Sequence, residues 1–308
     1  MPGERSGDGS SREGLPVVVT PTHVVTSDWF AMRIRTLREA SGLTPDQLAK
    51  AIGRSPQSVR HFEARNRPIN TAYVEDSLGG LGHGHLIEPY TRIVDRSKQA
   101  PLWWLDAIPK LTKSQKPPAL EQLELLVNFE ASAASLRIYA PHCVPDLVQT
   151  PAYTAALREF GEPPLGPLQA SLLPGRQGVL AQNEPDVHLL LDDAVLRRAV
   201  GGPAVLREQL AHLGSLAERH HVTVQVLPSA VAAQAAAEGN FTLLDLAEEL
   251  EHDPGAVFVR TAADWVHFRE PAKVGAYRAR WAALLRDALT PADSLATIGH
   301  AARELPAI

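Results

Sequence analysis

The chain has 308 residues, 44% of them hydrophobic and 21% charged, with a formal net charge of −5 at pH 7; this excludes a disordered chain and leaves room for two folded domains. No stretch approaches the roughly 18 to 20 apolar residues that span a bilayer, so no membrane contact is expected. The single cysteine, Cys143, excludes an intramolecular disulfide and favours the reducing cytoplasm.

Residues 1–27 are predicted to form a flexible N-terminal extension. The segment MPGERSGDGSSREG is polar and rich in glycine and serine, without the apolar core of a signal peptide. The following PVVVTPTHVV is β-prone and is interrupted by Pro21, which suggests an arm that packs on a neighbouring domain or subunit.

Residues 33–65 have the pattern of three short helices separated by sharp turns. Thr44 and Gln47 match a helix N-terminus with a reciprocal capping box. Gly53 ends this helix, and Ser55 begins the next one in the same way. Two short amphipathic helices joined by a tight glycine turn are typical of a helix-turn-helix, which predicts a DNA-binding domain over residues 28–82.

The local charge supports this interpretation. The stretch from Asp28 to Asn70 contains eight Lys or Arg residues and four Asp or Glu residues, so its net charge is +4 in a chain of net charge −5. A basic domain in an otherwise acidic chain is the charge distribution expected when that domain contacts DNA phosphates.

The segment GLTPDQLAKAIGRSPQSVRHFE resembles the repressor-type helix-turn-helix family, the XRE type of the lambda and 434 repressors. The resemblance implies an ion pair between Arg38 and Glu63 that ties the first helix to the end of the recognition helix. It also implies that three side chains face base edges in the major groove, namely Gln57, Ser58 and His61. Phosphate contacts are implied for Arg54, Arg60, Arg65 and Arg67.

Two departures from that family pattern are visible. Pro45 and Pro56 stand at the first positions of the two helices, where the family commonly has glutamine, so DNA binding could be altered or lost while the fold is kept. Arg65 stands where the family usually has glycine, which would allow the recognition helix to run on.

Residues 83–118 are predicted to be a helical linker region, and residues 119–308 an α+β domain. Strands are predicted at 135–140, 186–191, 222–227, 241–246, 256–260 and 265–268, with the last three as an antiparallel set. Helices are predicted at 119–134, 150–160, 166–182 (interrupted at Pro174 and Gly175), 192–200, 203–221, 271–289 and 292–303. The fold class is therefore α+β: an all-α helix-turn-helix bundle followed by a larger α+β domain with an antiparallel sheet.

A second resemblance extends over about residues 100–305. The ordered segments FEASAASLRIYAPHCVPDLVQTPAY, GRQGVL, LDDAVLRRAVGGPAVLREQLAHL, VTVQVLP and GNFTLLDL are similar to the C-terminal domain of a large family of regulators in antibiotic-producing filamentous bacteria. The resemblance implies a link to secondary metabolism or development. It also implies a small partner protein encoded by an adjacent gene.

Polar residues inside these segments lie beside apolar ones, as in a pocket with a few convergent polar groups. The candidates are Glu130, Arg137, Gln149, Tyr153, Arg176, Gln177 and Asp193, with a wall supplied by Trp103, Trp104, Phe241 and Trp265. The structural alternative, favoured for each residue taken singly, is that Glu130, Asp193 and Arg176 form buried pairs that hold helices together.

The chain contains no Gly-x-Ser-x-Gly elbow, P-loop, dinucleotide fingerprint or His-Glu-x-x-His, so no catalytic residue, cofactor or metal is predicted. The favoured hypothesis is a cytoplasmic, homodimeric transcription regulator that binds double-stranded operator DNA and senses a small-molecule ligand or a partner protein. The alternative is a degenerate helix-turn-helix protein whose C-terminal pocket catalyses a cofactor-free cyclisation or isomerisation, with Glu130, Asp193 or Arg176 as candidate groups. A third is an antitoxin-like module that sequesters a small protein.

Overall fold

A computed structural model describes residues 19–111, 115–159, 165–181, 185–231, 239–261 and 265–306. Within these ranges every helix is too short or too polar to cross a lipid bilayer. The N-terminal part, which we call the head, consists of the helices α1 (His23–Ala40), α2 (Pro45–Ala51), α3 (Pro56–Glu63), α4 (Thr71–Gly80) and α5 (Ile87–Ser97).

The remainder, which we call the sheet domain, alternates helices and strands. In chain order it contains α6 (Pro118–Glu130), β1 (Ala133–Ala140), α7 (Pro151–Glu159), α8 (Gly166–Gln177), β2 (Asp186–Asp192), α9 (Asp193–Arg197), α10 (Pro203–Ala217), β3 (Val222–Leu227), β4 (Phe241–Leu246), β5 (Ala256–Arg260), β6 (Trp265–Phe268), α11 (Pro271–Asp287) and α12 (Pro291–Glu304). The described strands form one sheet in the order β3-β2-β1-β4-β5-β6.

The predicted α+β fold class is confirmed, but the sheet is mixed and not purely antiparallel. β1, β2 and β3 are parallel neighbours, whereas β1 to β4, β4 to β5 and β5 to β6 are antiparallel. The parallel half arises because the connections after β1 and β2 carry helices, and such crossovers return the chain in the same direction. The short connections after β4 and β5 reverse it, as predicted.

This topology brings two loops to one edge of the sheet. β4 runs opposite to both β1 and β5, so β1 and β5 run in the same direction. Their carboxyl ends, at Ala140 and Arg260, therefore lie at the same edge. In sheets with parallel strands, ligand sites commonly form beyond the carboxyl ends of the strands.

One buried apolar cluster runs through both parts of the molecule. It includes Trp29, Phe30 and Tyr90 of the head together with Phe129 and Phe258 of the sheet domain. The opposite face of the sheet carries a second cluster, because alternate strand residues point to opposite faces and α11 covers that side. The head is therefore packed directly onto the sheet domain.

The chain becomes helical earlier than predicted. Residues 1–18, most of the predicted extension, lie outside the described residues. Thr22 caps α1 by accepting the Val25 N–H at 3.3 Å, and Val25 is fully buried. The β-prone segment thus enters a helix at His23, because a hydroxyl cap and burial of one helix face outweigh intrinsic strand propensity.

The helix α8 also differs from its prediction, since it continues through Pro174 and Gly175 without a break. The ring of Trp103 packs so closely on Gly175 that a Cβ there would lie 2.3 Å from it. The side chain of Arg176 is held in the next position by two carboxylates. These tertiary contacts maintain the last turn although proline removes one backbone hydrogen bond. The predicted helix ends at residues 160 and 182 lie outside the described residues.

Candidate nucleic-acid interface and sheet-edge cavity

The caps predicted for α2 and α3 are confirmed. The hydroxyl of Thr44 accepts the Gln47 N–H at 3.2 Å, and the Gln47 amide oxygen accepts the Thr44 N–H at 2.7 Å. The hydroxyl of Ser55 accepts the Ser58 N–H at 3.2 Å. Pro45 and Pro56 follow these caps directly, at positions where a backbone N–H would have no intrahelical partner. Both prolines are therefore compatible with regular helices.

The two faces of α3 have different surroundings. Val59 and Phe62 are buried, and the Phe62 ring stacks on Tyr73 with centroids 3.8 Å apart. The side chain of Gln57 is exposed, and those of Ser58 and His61 are half-buried. The three residues predicted to read bases thus lie outside the core, and their contact with DNA remains a prediction.

The ion pair that fixes α1 to the end of α3 is also confirmed. Arg38 donates to both carboxylate oxygens of Glu63, at 2.6 and 2.8 Å, and to the carbonyl of Leu43 at 2.7 Å. The two charged side chains are only 7% and 9% exposed. The hydrogen bonds to Glu63 raise the pKa of Arg38, and this pair ties the end of α3 to α1.

Three of the four arginines predicted to contact phosphates face carboxylates of the chain itself. Arg54 donates to Asp76 at 2.7 Å and lies over the Tyr73 ring, which makes it part of the head's own packing. Arg60 donates to Asp46 at 2.5 Å, with more than half of each side chain exposed. Such exposed pairs contribute only about 0–1 kcal/mol, so a phosphate can replace Asp46. The fourth, Arg67, is exposed.

Arg65 does not extend the recognition helix. α3 ends at Glu63, and Arg65 takes the left-handed conformation with φ of +61°, the same conformation that a glycine would adopt there. Its guanidinium pairs with Asp28 of α1 at 2.7 Å. The expectation that the helix runs on is therefore wrong, because this ion pair holds a non-glycine residue in the left-handed turn.

We expect Arg65→Gly to be more stable than Arg65→Ala by about 1 kcal/mol, because both lose the ion pair but only glycine relieves the left-handed strain. Urea unfolding followed by circular dichroism measures the difference. Ala64→Gly is the control, since Ala64 has φ of −85° and a glycine there relieves no strain. Equal stability of the two Arg65 variants would contradict the role assigned to backbone strain.

The Asp28 carboxylate also joins the head to the sheet domain. It accepts from Arg269 at 2.9 Å, and Arg269 in turn donates to Asp253 at 2.7 Å. Although burial disfavours the charge, the hydrogen bonds to Asp253 and Asp28 raise the pKa of Arg269. The Arg269 guanidinium lies 5.0 Å from the ring centre of Phe129. We call Asp28, Arg65, Asp253 and Arg269 the junction cluster.

A cavity of about 260 Å³ lies at the sheet edge where β1 and β5 end. The chain after β1 contributes Cys143, Asp146, Gln149 and Thr154 to its wall, and Arg260 enters from the end of β5. Helices α7 and α8 complete it with two further arginines and with apolar side chains, namely Arg158, Arg176, Leu157, Ala170 and Leu173.

A buried arginine with two carboxylates forms the floor of this cavity. Arg176 donates to both oxygens of Glu130, each at 2.7 Å, and to Asp146 at 2.9 Å. Arg176 and Glu130 are only 2% and 5% exposed. Despite burial, Arg176 and Arg260 hold the pKa of Asp146 below its usual range. Glu130 and Arg176 thus form the buried pair of the structural alternative, with both Glu130 oxygens engaged.

The structure brings some of the predicted pocket residues together at the cavity. Gln149 and Arg176 line it. Gln177 lies behind them and donates to the Gln149 carbonyl at 2.8 Å. Tyr153 accepts the Val144 N–H, and burial raises the pKa of Tyr153 to about 12. Trp265 lies beneath the guanidinium of Arg260, 5.7 Å from it.

Five other predicted residues lie elsewhere. Arg137 donates to Asp245 of β4. Asp193 accepts from the Ser229 hydroxyl at 2.8 Å, so it does not form the buried pair that was predicted for it. Phe241 packs on the opposite face of the sheet. Trp104 belongs to a separate cluster beside α6, and Trp103 is exposed on one side and packs on Gly175 on the other.

Sequence reasoning missed Arg260, Arg158 and Asp146 at the cavity, as well as Asp28 and Arg269 at the junction. The position of Arg260 at the end of a correctly predicted strand was a usable signal. It could not be used without the strand order, which places that end beside the chain that follows β1.

Comparison with known families covers most of the chain. A family profile described as a domain of unknown function, DUF5753, matches residues 123–300, which is more than half of the chain. The chain belongs to the DUF5753 family. A second profile, described as a helix-turn-helix domain, matches residues 29–82. No curated protein and no solved structure matches. The chain thus joins a helix-turn-helix, which supports DNA binding, to a DUF5753 domain of unknown function.

Proposed function

We propose that the protein is a transcription regulator of the XRE repressor type whose DUF5753 domain senses a small molecule or a partner protein. The observation that carries the proposal is the outward face of α3, where Gln57, Ser58 and His61 lie outside the core of a matched helix-turn-helix. Glutamine can read adenine with two hydrogen bonds, and serine and histidine each offer one.

Two heads are needed for specific affinity, because a single helix-turn-helix has few base contacts. We therefore include a homodimer that reads a pseudo-palindromic operator. A link to secondary metabolism or development, and a small partner protein encoded next to the gene, are part of the same proposal. They rest on the likeness of the C-terminal segments to regulators of filamentous bacteria.

The contacts of the chain offer a route from the DUF5753 domain to α3. Arg176 at the cavity holds Glu130 at the end of α6. Phe129, the residue before it, packs under Arg269 of the junction cluster. Within that cluster, Asp28 pairs with Arg65, the second residue after α3. A ligand or partner that prefers one arrangement of α6 would shift the orientation of the reading helix.

We expect the protein to shift DNA from upstream of its own gene in electrophoresis, with an affinity that falls steeply as salt rises, because phosphate contacts release counterions. Gln57→Ala should weaken binding by about 1–3 kcal/mol, since it removes a base contact. The control is Gln99→Ala, which removes an exposed glutamine after α5. The absence of any salt-sensitive complex, or equal effects of the two variants, would refute the proposal.

A further inference from the structure

The sheet-edge cavity combines apolar walls with arginine side chains. Arg176 and Arg260 both contribute to its wall, and Asp146 is the carboxylate among the described lining residues. Arg176 is already bound by Glu130 and Asp146. In a partly dry cavity, a cation that lacks an ion pair attracts an anion more strongly than it would in water.

Arg260 is the cation best placed to receive a ligand. Its main chain bonds to Asn240, and its guanidinium lies over the Trp265 ring. Among the described residues no carboxylate lies within ion-pair distance of this guanidinium, whereas Arg176 already binds Glu130 and Asp146. Stacking on an aromatic ring leaves the N–H groups at the guanidinium edge able to bind a carboxylate in a bidentate manner.

The rest of the wall limits the size and polarity of the ligand. Leu157, Ala170 and Leu173 present apolar surface. Gln149 donates to the Val144 carbonyl and accepts from the Thr154 hydroxyl, so these polar groups are already engaged with each other. A volume of about 260 Å³ suits a small molecule and not a peptide.

We infer that this cavity is a binding site for a small organic acid with an apolar body, whose carboxylate pairs with Arg260 while its body lies against Leu157, Ala170 and Leu173. The inference rests on the proposed function in that the acid would be the signal sensed by the DUF5753 domain. The inference assigns a ligand class to a cavity in a domain whose function is unknown.

The chain provides its own reporter for this site. Cys143 is the single cysteine of the sequence and lines the cavity. Burial raises the pKa of the Cys143 thiol, so alkylation is slow and is best followed at mildly alkaline pH. A molecule bound in the cavity should slow it further by covering the sulfur.

The experiment measures alkylation of Cys143 in the full chain with naphthylacetate and naphthylacetamide, which have nearly the same shape but differ in charge. We expect the acid to protect Cys143 at roughly tenfold lower concentration than the amide, the effect of one charged hydrogen-bonding pair. Arg260→Gln should abolish this preference, and Arg260→Lys should retain part of it. Arg286→Gln, an exposed site on α11, should not change it.

Protection that is equal for acid and amide, or absent for both, would overturn the inference. Preference for the acid that persists in Arg260→Gln would also overturn it. Ala170→Phe, which fills the cavity, should prevent protection by either probe, and protection that survives would place binding elsewhere. If the acid protects Cys143 but the protein shifts no DNA, the proposed regulator is refuted and the acid site stands. If the protein shifts DNA but the acid gives no protection, the acid site is refuted and the proposed regulator stands.

Discussion

Replacement of Arg176 by methionine should lower the free energy of unfolding by about 3–5 kcal/mol, which is the typical cost of leaving a buried charge without its partner. The stranded charge is Glu130, because both of its oxygens accept from Arg176 in the native structure. Asp146 would lose a partner as well. Urea unfolding followed by circular dichroism gives the value.

The matched control for this substitution is Arg197→Met. Arg197 is 59% exposed and lies 3.5 Å from Asp193, so its loss should cost less than about 1 kcal/mol. The double variant Glu130→Leu with Arg176→Met should recover much of the stability lost in the single variant, because no unpaired charge remains. A single Arg176 variant as stable as the control would contradict the described buried pair.

Replacement of Asp28 by alanine should lower the free energy of unfolding by about 3 kcal/mol, at the lower end of the range for buried pairs because Arg269 keeps Asp253 as a partner. The substitution removes the carboxylate shared by Arg65 of the head and Arg269 of the sheet domain. Unfolding in urea, followed by tryptophan fluorescence, is the measurement, since Trp29 lies in the adjacent core.

Glu39→Ala serves as the control on the same helix, because Glu39 forms an exposed pair with Arg35. Its effect should remain below about 1 kcal/mol. In a double-mutant cycle, Arg65→Ala should have a smaller effect once Asp28 has been replaced, since the pair is already lost. Additive effects would show that Asp28 and Arg65 are not coupled.

Local signals made the head predictable from its sequence. The side chains of Thr44 and Ser55 each accept the backbone N–H three residues further along the chain, and a proline follows each of them. Such short-range patterns are visible in a single sequence. The Arg38–Glu63 pair spans 25 positions and followed from the family resemblance, not from the residues alone. The exact bounds of β3, β4, β5 and β6 were predicted because each strand is a short run rich in β-branched, aromatic or leucine residues.

Features that depend on distant contacts were not predictable. The mixed sheet requires the strand order, which local periodicity does not encode. Asp28 and Arg269 are separated by 241 positions, and nothing near either residue indicates its partner. The net charge of +4 for the stretch from Asp28 to Asn70 did not include Asp76, which lies beyond that stretch and pairs with Arg54.

A DNA-binding module that is joined through a flexible tether samples orientations independently of the rest of its chain. Here Trp29 of the head and Phe129 of the sheet domain belong to the same buried cluster, so the two parts share one continuous interior. A densely packed interior resists gradual deformation and changes between discrete arrangements. Any signal that reorients α3 must therefore repack this shared interior, and the binding energy of the signal limits how far that equilibrium can move.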